Sequence, residues 1–476
     1  MIRTGVWMVL LVGLAATAEA EDFREWAQSQ RQSFQDFQEE RDKAFHKFLE
    51  EQWRAFKVHK GEAEDSAPKP DTVPEAPEDS EPDVTVEVEP EPSPKPEPKP
   101  EPKPEPKPEA EPSEAKSVEV AFLGHDLTFQ VPPEWQGLDL EKANEQGVAD
   151  FWAAFAKHPA DPVVTQLRET SERLDLNGWG YLRLSHALAD AIHGDKATAV
   201  ATTWGLLLKS DYDARVGYHD GRLFLLYRPR EQLYDLPYFE FDGKRYYVYR
   251  PDGQVARLMS YEADYQGADQ RLPIALDRAP EPGGSTRTRS LRFRYQGENY
   301  EIEVPLSRPL VEYLGTVPQM DVVSYFRSRP RPQVEEALVA QLKDATEGLP
   351  RSERVNLLLR FVQTAFDYQT DQKQFGQEDY LFPEETLFHP ASDCEDRSVL
   401  FALLVRKVLG LEVAALDYPG HVATALDLDE GGKGMRLTVA GRRLMVADPT
   451  YINANVGMVM PEFREKRPEV VPLWKD

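Results

Sequence analysis

The chain has 476 residues and a net charge of −27, with 56 basic against 83 acidic side chains. This acidic balance argues against a nucleic-acid binder, which needs a basic face to replace the counterions on phosphate. The single cysteine excludes an internal disulfide and a cysteine-rich zinc site, and 39 prolines indicate that part of the chain is not globular.

Residues 1–20 predict a secretory signal peptide. Arg3 precedes an apolar run from Val6 to Thr17, and Ala18-Glu19-Ala20 forms a small-x-small cleavage site. No other apolar run is long enough to span a bilayer. We therefore expect an exported protein, in a bacterial periplasm, with no integral membrane segment after cleavage.

Residues 21–60 predict one amphipathic helix with an aromatic stripe. Aromatic residues recur every eleven positions, at Phe23, Phe34, Phe45 and Phe56 and again at Trp26, Phe37 and Phe48. An eleven-residue repeat suits a long helix with a slight right-handed supercoil. Self-association through a coiled coil is the favoured interpretation, and docking to a partner or a membrane surface is the alternative.

Residues 61–117 predict a disordered tether. They hold 16 of the 39 prolines, 18 acids and 6 lysines, and proline occupies every second position from Pro90 to Pro108. Such a Pro-Glu-Pro-Lys repeat stays extended, and at about 3.1 Å per residue the whole segment 61–117 reaches roughly 170 Å.

Residues 118–476 predict an α+β fold built from a tandem duplication. The two copies, 118–285 and 286–476, share six collinear blocks. These pairs are Val120–Pro132 with Phe293–Pro305, Asp150–Pro159 with Asp321–Pro330, Gln166–Leu174 with Gln341–Leu349, Tyr181–Ile192 with Val355–Phe366, Gly221–Leu223 with Gly420–Val422, and Gly243–Pro251 with Gly441–Pro449. Chance similarity between two α+β halves is the alternative, since the identities are few. The second copy carries about 25 extra residues around Tyr368–Asp393, which predict an active-site wall.

Three residues of the second copy predict a thiol relay. Cys394 opens an apolar helix that ends at Gly410, and a helix N-terminus favours a thiolate. His421 opens the strand Val422–Leu428, and Asp448 ends the hairpin Leu437–Ala447. A thiol needs an imidazole to become a persistent thiolate, and the imidazole needs an acid on its far nitrogen. Adjacent antiparallel strands could bring His421 and Asp448 together beneath the helix.

These residues resemble the transglutaminase-like superfamily of cysteine enzymes. The resemblance covers roughly residues 335–455 and is carried by Asp393-Cys394-Glu395-Asp396, Gly420-His421-Val422 and Ala447-Asp448-Pro449-Thr450. It implies a papain-like α+β core with Cys394 as nucleophile, His421 as base and Asp448 as orienting acid. Many members have Gly-Asp before the cysteine, where this chain has Ser392-Asp393. For the oxyanion we expect the Cys394 amide with Tyr368 or Gln369, and for Asp396 a supporting role at the helix start.

The first copy predicts no catalysis. Arg222 aligns with His421, Arg250 with Asp448, and Lys196 or Asp195 with the cysteine. We therefore expect residues 118–285 to be a degenerate transglutaminase-like domain, kept for packing or substrate binding.

Each triad residue also has a structural interpretation. A lone cysteine is more often a small buried hydrophobe, but Cys394 has charged neighbours on both sides, which is no core pattern. His421 could cap a turn, and an aspartate before proline, as at Asp448, is a common turn residue. The order and context of the three together favour chemistry.

The predicted function is cleavage of an amide bond in an envelope protein or peptide, without a cofactor. Hydrolysis is favoured over crosslinking because water is abundant and the sequence reveals no acidic pocket for an amine. The alternative is an envelope-tethered scaffold with a vestigial triad, since a tether and an aromatic helix serve to place a domain. A metal site using His389, Cys394 and His421 is a distant third, because no metal-ligand spacing is present.

Overall fold

The computed structural model describes residues 37–50, 52–61, 69, 72–77, 84–88, 115–250, 255–428 and 433–474. The expected signal peptide, the first part of the aromatic repeat and the Pro90–Pro108 repeat lie outside these ranges. The described part is mixed α+β, as predicted. None of its helices combines the length and the apolar character needed to cross a bilayer.

The predicted helix over residues 21–60 is wrong beyond residue 50. Helix α1 covers 37–50, and strand β1 follows at Trp53–Lys57. The aromatic side chains pack within the chain, because Phe45 is buried against Trp152 and Trp204 at ring distances of 5.1 and 6.0 Å. Phe56 lies in β1, 4.2 Å from the ring of Phe241. The eleven-residue repeat therefore supplies core contacts in this part, while Phe37 is exposed.

The prediction of disorder throughout 61–117 is also wrong in part. Strand β2, Val84–Val88, pairs in parallel with the strand Met435–Val439. Ahead of it, Ala76 N donates to Ile452 O at 2.8 Å. The alternating Val-Thr-Val-Glu-Val segment suits an edge strand, and its pairing tethers the linker to the second half of the molecule.

The first half follows the tether. Its elements are β3 (Lys116–Phe122), β4 (His125–Val131), α2 (Glu145–Phe155), α3 (Asp161–Arg173), α4 (Gly178–Ile192), α5 (Lys196–Lys209), β5 (Ala214–His219), β6 (Arg222–Tyr227), β7 (Tyr238–Phe241), β8 (Lys244–Val248) and β9 (Arg257–Tyr261).

The second half repeats this series with additions. Its elements are β10 (Arg287–Tyr295), β11 (Glu298–Leu306), α6 (Arg308–Leu314), α7 (Val322–Arg327), α8 (Pro332–Thr346), α9 (Arg351–Thr364), β12 (Asp367–Tyr368), α10 (Asp371–Gln374), α11 (Pro383–Phe388), β13 (Ala391–Ser392), α12 (Cys394–Leu404), β14 (Val413–Tyr418), β15 (His421–Leu426), β16 (Met435–Val439), β17 (Arg442–Ala447) and β18 (Glu469–Pro472).

The two halves share one sheet topology. The first sheet has the order β9-β5-β6-β8-β7 and the second has β18-β14-β15-β17-β16. Each order begins with the last strand of its half and ends with a hairpin. The N-terminal strands extend opposite edges, because β1 joins β9 and β2 joins β16.

A repeated side-chain clasp supports the duplication. In the first half, Gln130 N donates to Gln166 Oε1 and Gln166 Nε2 donates to Gln130 O, both at 2.8 Å. In the second, Glu303 N donates to Gln341 Oε1 at 2.9 Å and Gln341 Nε2 donates to Glu303 O at 2.7 Å. One helix glutamine thus satisfies both backbone groups of one hairpin residue in each half, at the positions that the sequence blocks align.

The connection before the last helix of the core differs between the halves. In the first half only residues 193–195 separate α4 from α5. In the second, residues 365–393 separate α9 from α12 and include the short elements β12, α10, α11 and β13. This longer segment, which we call the insertion, packs beside the N-terminus of α12.

Candidate active site

Cys394 is the first residue of α12, and the helix begins there because of local capping. Asp396 accepts hydrogen bonds from the backbone N–H of Asp393 at 3.3 Å and of Leu381 at 2.9 Å. Its carboxylate therefore ties the insertion to the first turn of the helix, which agrees with the predicted supporting role of Asp396. One turn further, Ser398 Oγ donates to Val422 O at 2.8 Å and fixes α12 on β15 beside His421.

The structure brings His421 and Asp448 together. Strands β15 and β17 pair antiparallel, and His421 Nε2 lies 2.9 Å from Asp448 Oδ2. Asp448 Oδ1 accepts the N–H groups of Thr450 and Tyr451 at 2.9 and 3.2 Å, which orients the carboxylate. Phe463 stacks on the imidazole with a ring distance of 4.6 Å.

The second ring nitrogen of His421 is not paired with Asp448. Its Nδ1 is buried and has no hydrogen-bond partner among the described residues. If Asp448 is ionised, Nε2 must carry the proton that it donates, and Nδ1 is then the basic nitrogen of a neutral ring. This is the arrangement that a general base requires.

The thiol itself does not have the environment that the helix N-terminus predicts. Cys394 is fully buried, and its Sγ donates to Glu395 Oε2 at 2.9 Å. Burial raises the pKa of the thiol well above its ordinary value, and the charges of Glu395 and Asp393 raise it further. The expected thiolate is therefore wrong for this arrangement, because burial above all, and the neighbouring acidic groups after it, oppose the thiolate more than the helix dipole favours it.

Of the two residues predicted to serve the oxyanion, Tyr368 ends β12 and Gln369 follows it. Tyr368 pairs with Ser392 of β13, two residues before Cys394. Burial raises the pKa of the Tyr368 hydroxyl, and the nearby Cys394 raises it further. The backbone N–H of Gln369 donates to Ser392 O at 3.4 Å. The raised pKa means that the Tyr368 hydroxyl keeps its proton, which a hydrogen-bond donor needs. The oxyanion role stays a prediction for both residues.

An acidic cluster that the sequence analysis missed surrounds the thiol. We give this name to Asp371, Glu378, Asp393, Glu395 and Asp396. All except Glu378 are buried. Burial and the neighbouring carboxylates raise the pKa of Asp371 to about 11 and those of Glu395 and Asp396 well above their ordinary values. Asp371 and Glu378 belong to the insertion, so the extra residues do form a wall of the site.

A lysine from the tether occupies this cluster. Lys69 Nζ lies 3.0 Å from Asp393 Oδ2 and 3.8 Å from Asp371 Oδ2, and it forms ion pairs with Glu395 and Glu378. The Lys69 side chain is only 11% exposed. Its pKa is raised because these carboxylates outweigh the effect of burial. No pattern separates this lysine from the other five of the tether, so the sequence alone could not identify it.

Two carboxylate groups within the cluster could also hold a metal ion. In the described part of the chain these are Asp371 with Asp393 and Asp396, and Asp371 with Glu378 and Glu395, each with oxygen atoms within 4.8 Å of one another. His389 belongs to neither group. Its ring packs against Phe375 and Phe388 at 5.4 and 5.6 Å. The histidine-based metal site weighed from the sequence is therefore not formed.

The first half carries different residues at the triad positions. Asp195 caps α5 as Asp393 precedes α12, so Lys196 takes the place of Cys394. Arg222 opens β6 as His421 opens β15. The strand registers make Arg250 the equivalent of Asp448, because each lies two residues after the paired valine of its strand, Val248 or Val446. These three positions hold no thiol, imidazole or carboxylate, as the sequence predicts.

Comparisons with known proteins add no relative: no family model, curated protein or solved structure matches the chain.

Proposed function

We propose that the chain is an exported cysteine enzyme of the transglutaminase-like class that hydrolyses amide bonds of a cell-envelope protein or peptide. The observation that carries the proposal is the buried pair of His421 and Asp448, 2.9 Å apart, with His421 Nδ1 left unpaired beside the helix that Cys394 begins. A structural histidine in a core would ordinarily satisfy both ring nitrogens.

The residues suggest one sequence of steps. His421 Nδ1 takes the Cys394 proton, and the thiolate attacks the amide carbon to form a tetrahedral intermediate. The imidazolium, stabilised by Asp448, gives its proton to the departing amine, which leaves a thioester on Cys394. Water activated by His421 then releases the carboxylic acid and restores the thiol. The amide of Cys394 and the Tyr368 hydroxyl are the candidate donors to the oxyanion.

The absence of an acidic pocket for an amine, which favoured hydrolysis in the sequence, is not found in the structure. The acidic cluster lies beside Cys394 and holds the ammonium group of Lys69. Hydrolysis is still favoured for a different reason: an amine paired with several carboxylates stays protonated and has no lone pair with which to attack a thioester.

The second candidate function is a scaffold with a vestigial triad. The burial of Cys394 and its raised pKa favour it, because a reactive cysteine normally sits in an accessible, electropositive environment. The two candidates differ in what His421 does to the thiol.

The test is thiol labelling and amide hydrolysis by the wild type, Cys394→Ala and His421→Ala. We expect labelling by a neutral alkylating reagent only when Cys394 is present, and no hydrolysis of envelope-derived peptides by either variant. Asn177→Ala, which removes a helix cap in the first half, serves as the control for general damage. Hydrolysis retained by Cys394→Ala would refute the enzyme, and labelling that His421→Ala leaves unchanged at every pH would favour the scaffold.

A further inference from the structure

Lys69 presents a complete set of contacts for a primary ammonium group. Its ammonium group donates to Asp393 and Glu395 and forms a further ion pair with Glu378. The ring of Tyr380 lies 5.5 Å from Nζ and adds a cation–π contact. An ammonium ion is a compact positive charge with three donors. The acidic cluster with the ring of Tyr380, which we call the enclosure, offers it three negative partners.

The enclosure keeps unused acceptors. Asp371 Oδ1 and Asp393 Oδ1 are buried and have no hydrogen-bond partner among the described residues, although their side chains are 1% and 0% exposed. Buried carboxylate oxygens are costly unless a cation or donor satisfies them. The cluster therefore has more acceptor capacity than Lys69 alone uses.

The enclosure and the nucleophile share one side chain. Glu395 Oε2 accepts a hydrogen bond from the Cys394 thiol at 2.9 Å, and Glu395 Oε1 pairs with Lys69. A cation in the cluster is thus one carboxylate away from the sulfur. The chain contacts the first half before Lys69, where His59 bridges to Tyr238, and the second half after it, where Glu75 bridges to Ile452.

We infer that the acidic cluster is a subsite for a primary ammonium group, that Lys69 is its occupant within the chain, and that a lysine side chain of the substrate takes the same place. The substrate class is then an amide next to a lysine, and the tether inhibits the enzyme by occupying the subsite. The substrate assignment rests on the proposed function, but ammonium binding does not.

The test compares two small thiol reagents on the only cysteine. The probes are 2-aminoethyl methanethiosulfonate, which carries an ammonium group, and the neutral methyl methanethiosulfonate. In the wild type we expect slow modification by both. In Lys69→Met we expect the ratio of the cationic to the neutral rate to rise at least about tenfold, because the vacated carboxylates attract the cation. Lys60→Met, at an exposed lysine nine residues before Lys69, is the matched control and should behave as the wild type.

A competition experiment identifies the ligand. In Lys69→Met, n-butylammonium should slow modification of Cys394 in a saturable manner, and n-butanol of the same length should not. Protection by calcium without protection by n-butylammonium would overturn the ammonium assignment in favour of a metal site. Equal acceleration of both reagents would overturn it as well, since that result shows only loss of cover.

A second variant tests the inference if Lys69→Met does not fold. Lys69→Gln removes the ammonium charge but keeps a side chain that can donate a hydrogen bond to the carboxylates. It should raise the rate ratio several-fold, and a folded variant with the wild-type ratio would contradict the inference. Failure of the proposed function is separate: a preference for the cationic reagent together with no Cys394-dependent hydrolysis leaves the subsite and removes the enzyme.

Discussion

Replacement of Asp371 by asparagine should change how the stability of the second half depends on pH. Asp371 is buried at the start of α10, and burial together with Asp393, Asp396 and Glu395 raises its pKa to about 11. The unfolded chain has an ordinary aspartate pKa of about 3.9. Between these values the folded chain binds one proton more than the unfolded chain at this position.

The sign follows from this difference in bound protons. A raised folded-state pKa gives stability that is fully present below about pH 4 and is lost as the pH rises toward 11. One extra proton corresponds to about 1.4 kcal/mol per pH unit, or about 4 kcal/mol between pH 5.5 and 8.5. Asparagine does not titrate, and its side-chain oxygen can still accept the N–H of Asp379, which now bonds Asp371 Oδ2 at 3.0 Å. The variant should therefore gain stability over the wild type as the pH rises.

The assay is urea unfolding at pH 5.5, 7.0 and 8.5 with pulsed labelling of Cys394. This thiol is buried and reports on the second half, whereas four of the five tryptophans within residues 118–476 lie in the first half. Asp379→Asn is the matched control, because burial and Glu378 raise the pKa of Asp379 only to about 6. Asp379→Asn should change the slope of unfolding free energy against pH only below about pH 7. Parallel stability profiles for the wild type and Asp371→Asn would refute the assigned protonation.

Two further substitutions test the triad and the core. Asp448→Asn should lower Cys394-dependent hydrolysis by about 100-fold or more, because the amide favours the wrong tautomer of His421; an unchanged pH–rate profile would exclude the orienting role. Arg331→Met should destabilise the second half by about 3–5 kcal/mol, since it leaves the buried Glu384, now paired at 2.6 Å, without its cation. Urea unfolding measures this loss, and the double variant with Glu384→Leu should recover most of it; a double variant as unstable as the single one would contradict the ion-pair explanation.

Local patterns predict the elements that carry the candidate site. The strand beginning at His421 and the hairpin about Gly441 follow from alternation and turn residues, and both form as expected. Their antiparallel pairing then brings His421 to Asp448. The clasps of Gln166 and Gln341 were visible only as aligned positions, because a hydrogen bond to a hairpin carbonyl leaves no trace in composition.

Non-local contacts account for what the sequence did not predict. Strand β2 lies within a segment whose mean composition indicates disorder, yet five alternating residues suffice when β16 offers a free edge. The environment of Cys394 depends on carboxylates from the insertion and on a lysine 325 positions earlier. Burial, the largest cause of the raised pKa of the thiol, depends on tertiary contacts that the helix beginning at Cys394 does not reveal.

The charge balance of the cluster gives a physical reason for the contact of the tether with the site. The first half has neither the insertion nor a cysteine at the helix start, and its short 193–195 connection brings a single carboxylate, that of Asp195, to that position. In the second half the insertion adds Asp371 and Glu378 to the acids that flank Cys394. Near neutral pH such a group must take up protons or a cation, because buried like charges repel and are poorly solvated. Lys69 supplies that cation, so the enclosed thiol and the occupied cluster are two consequences of one ion-pair arrangement.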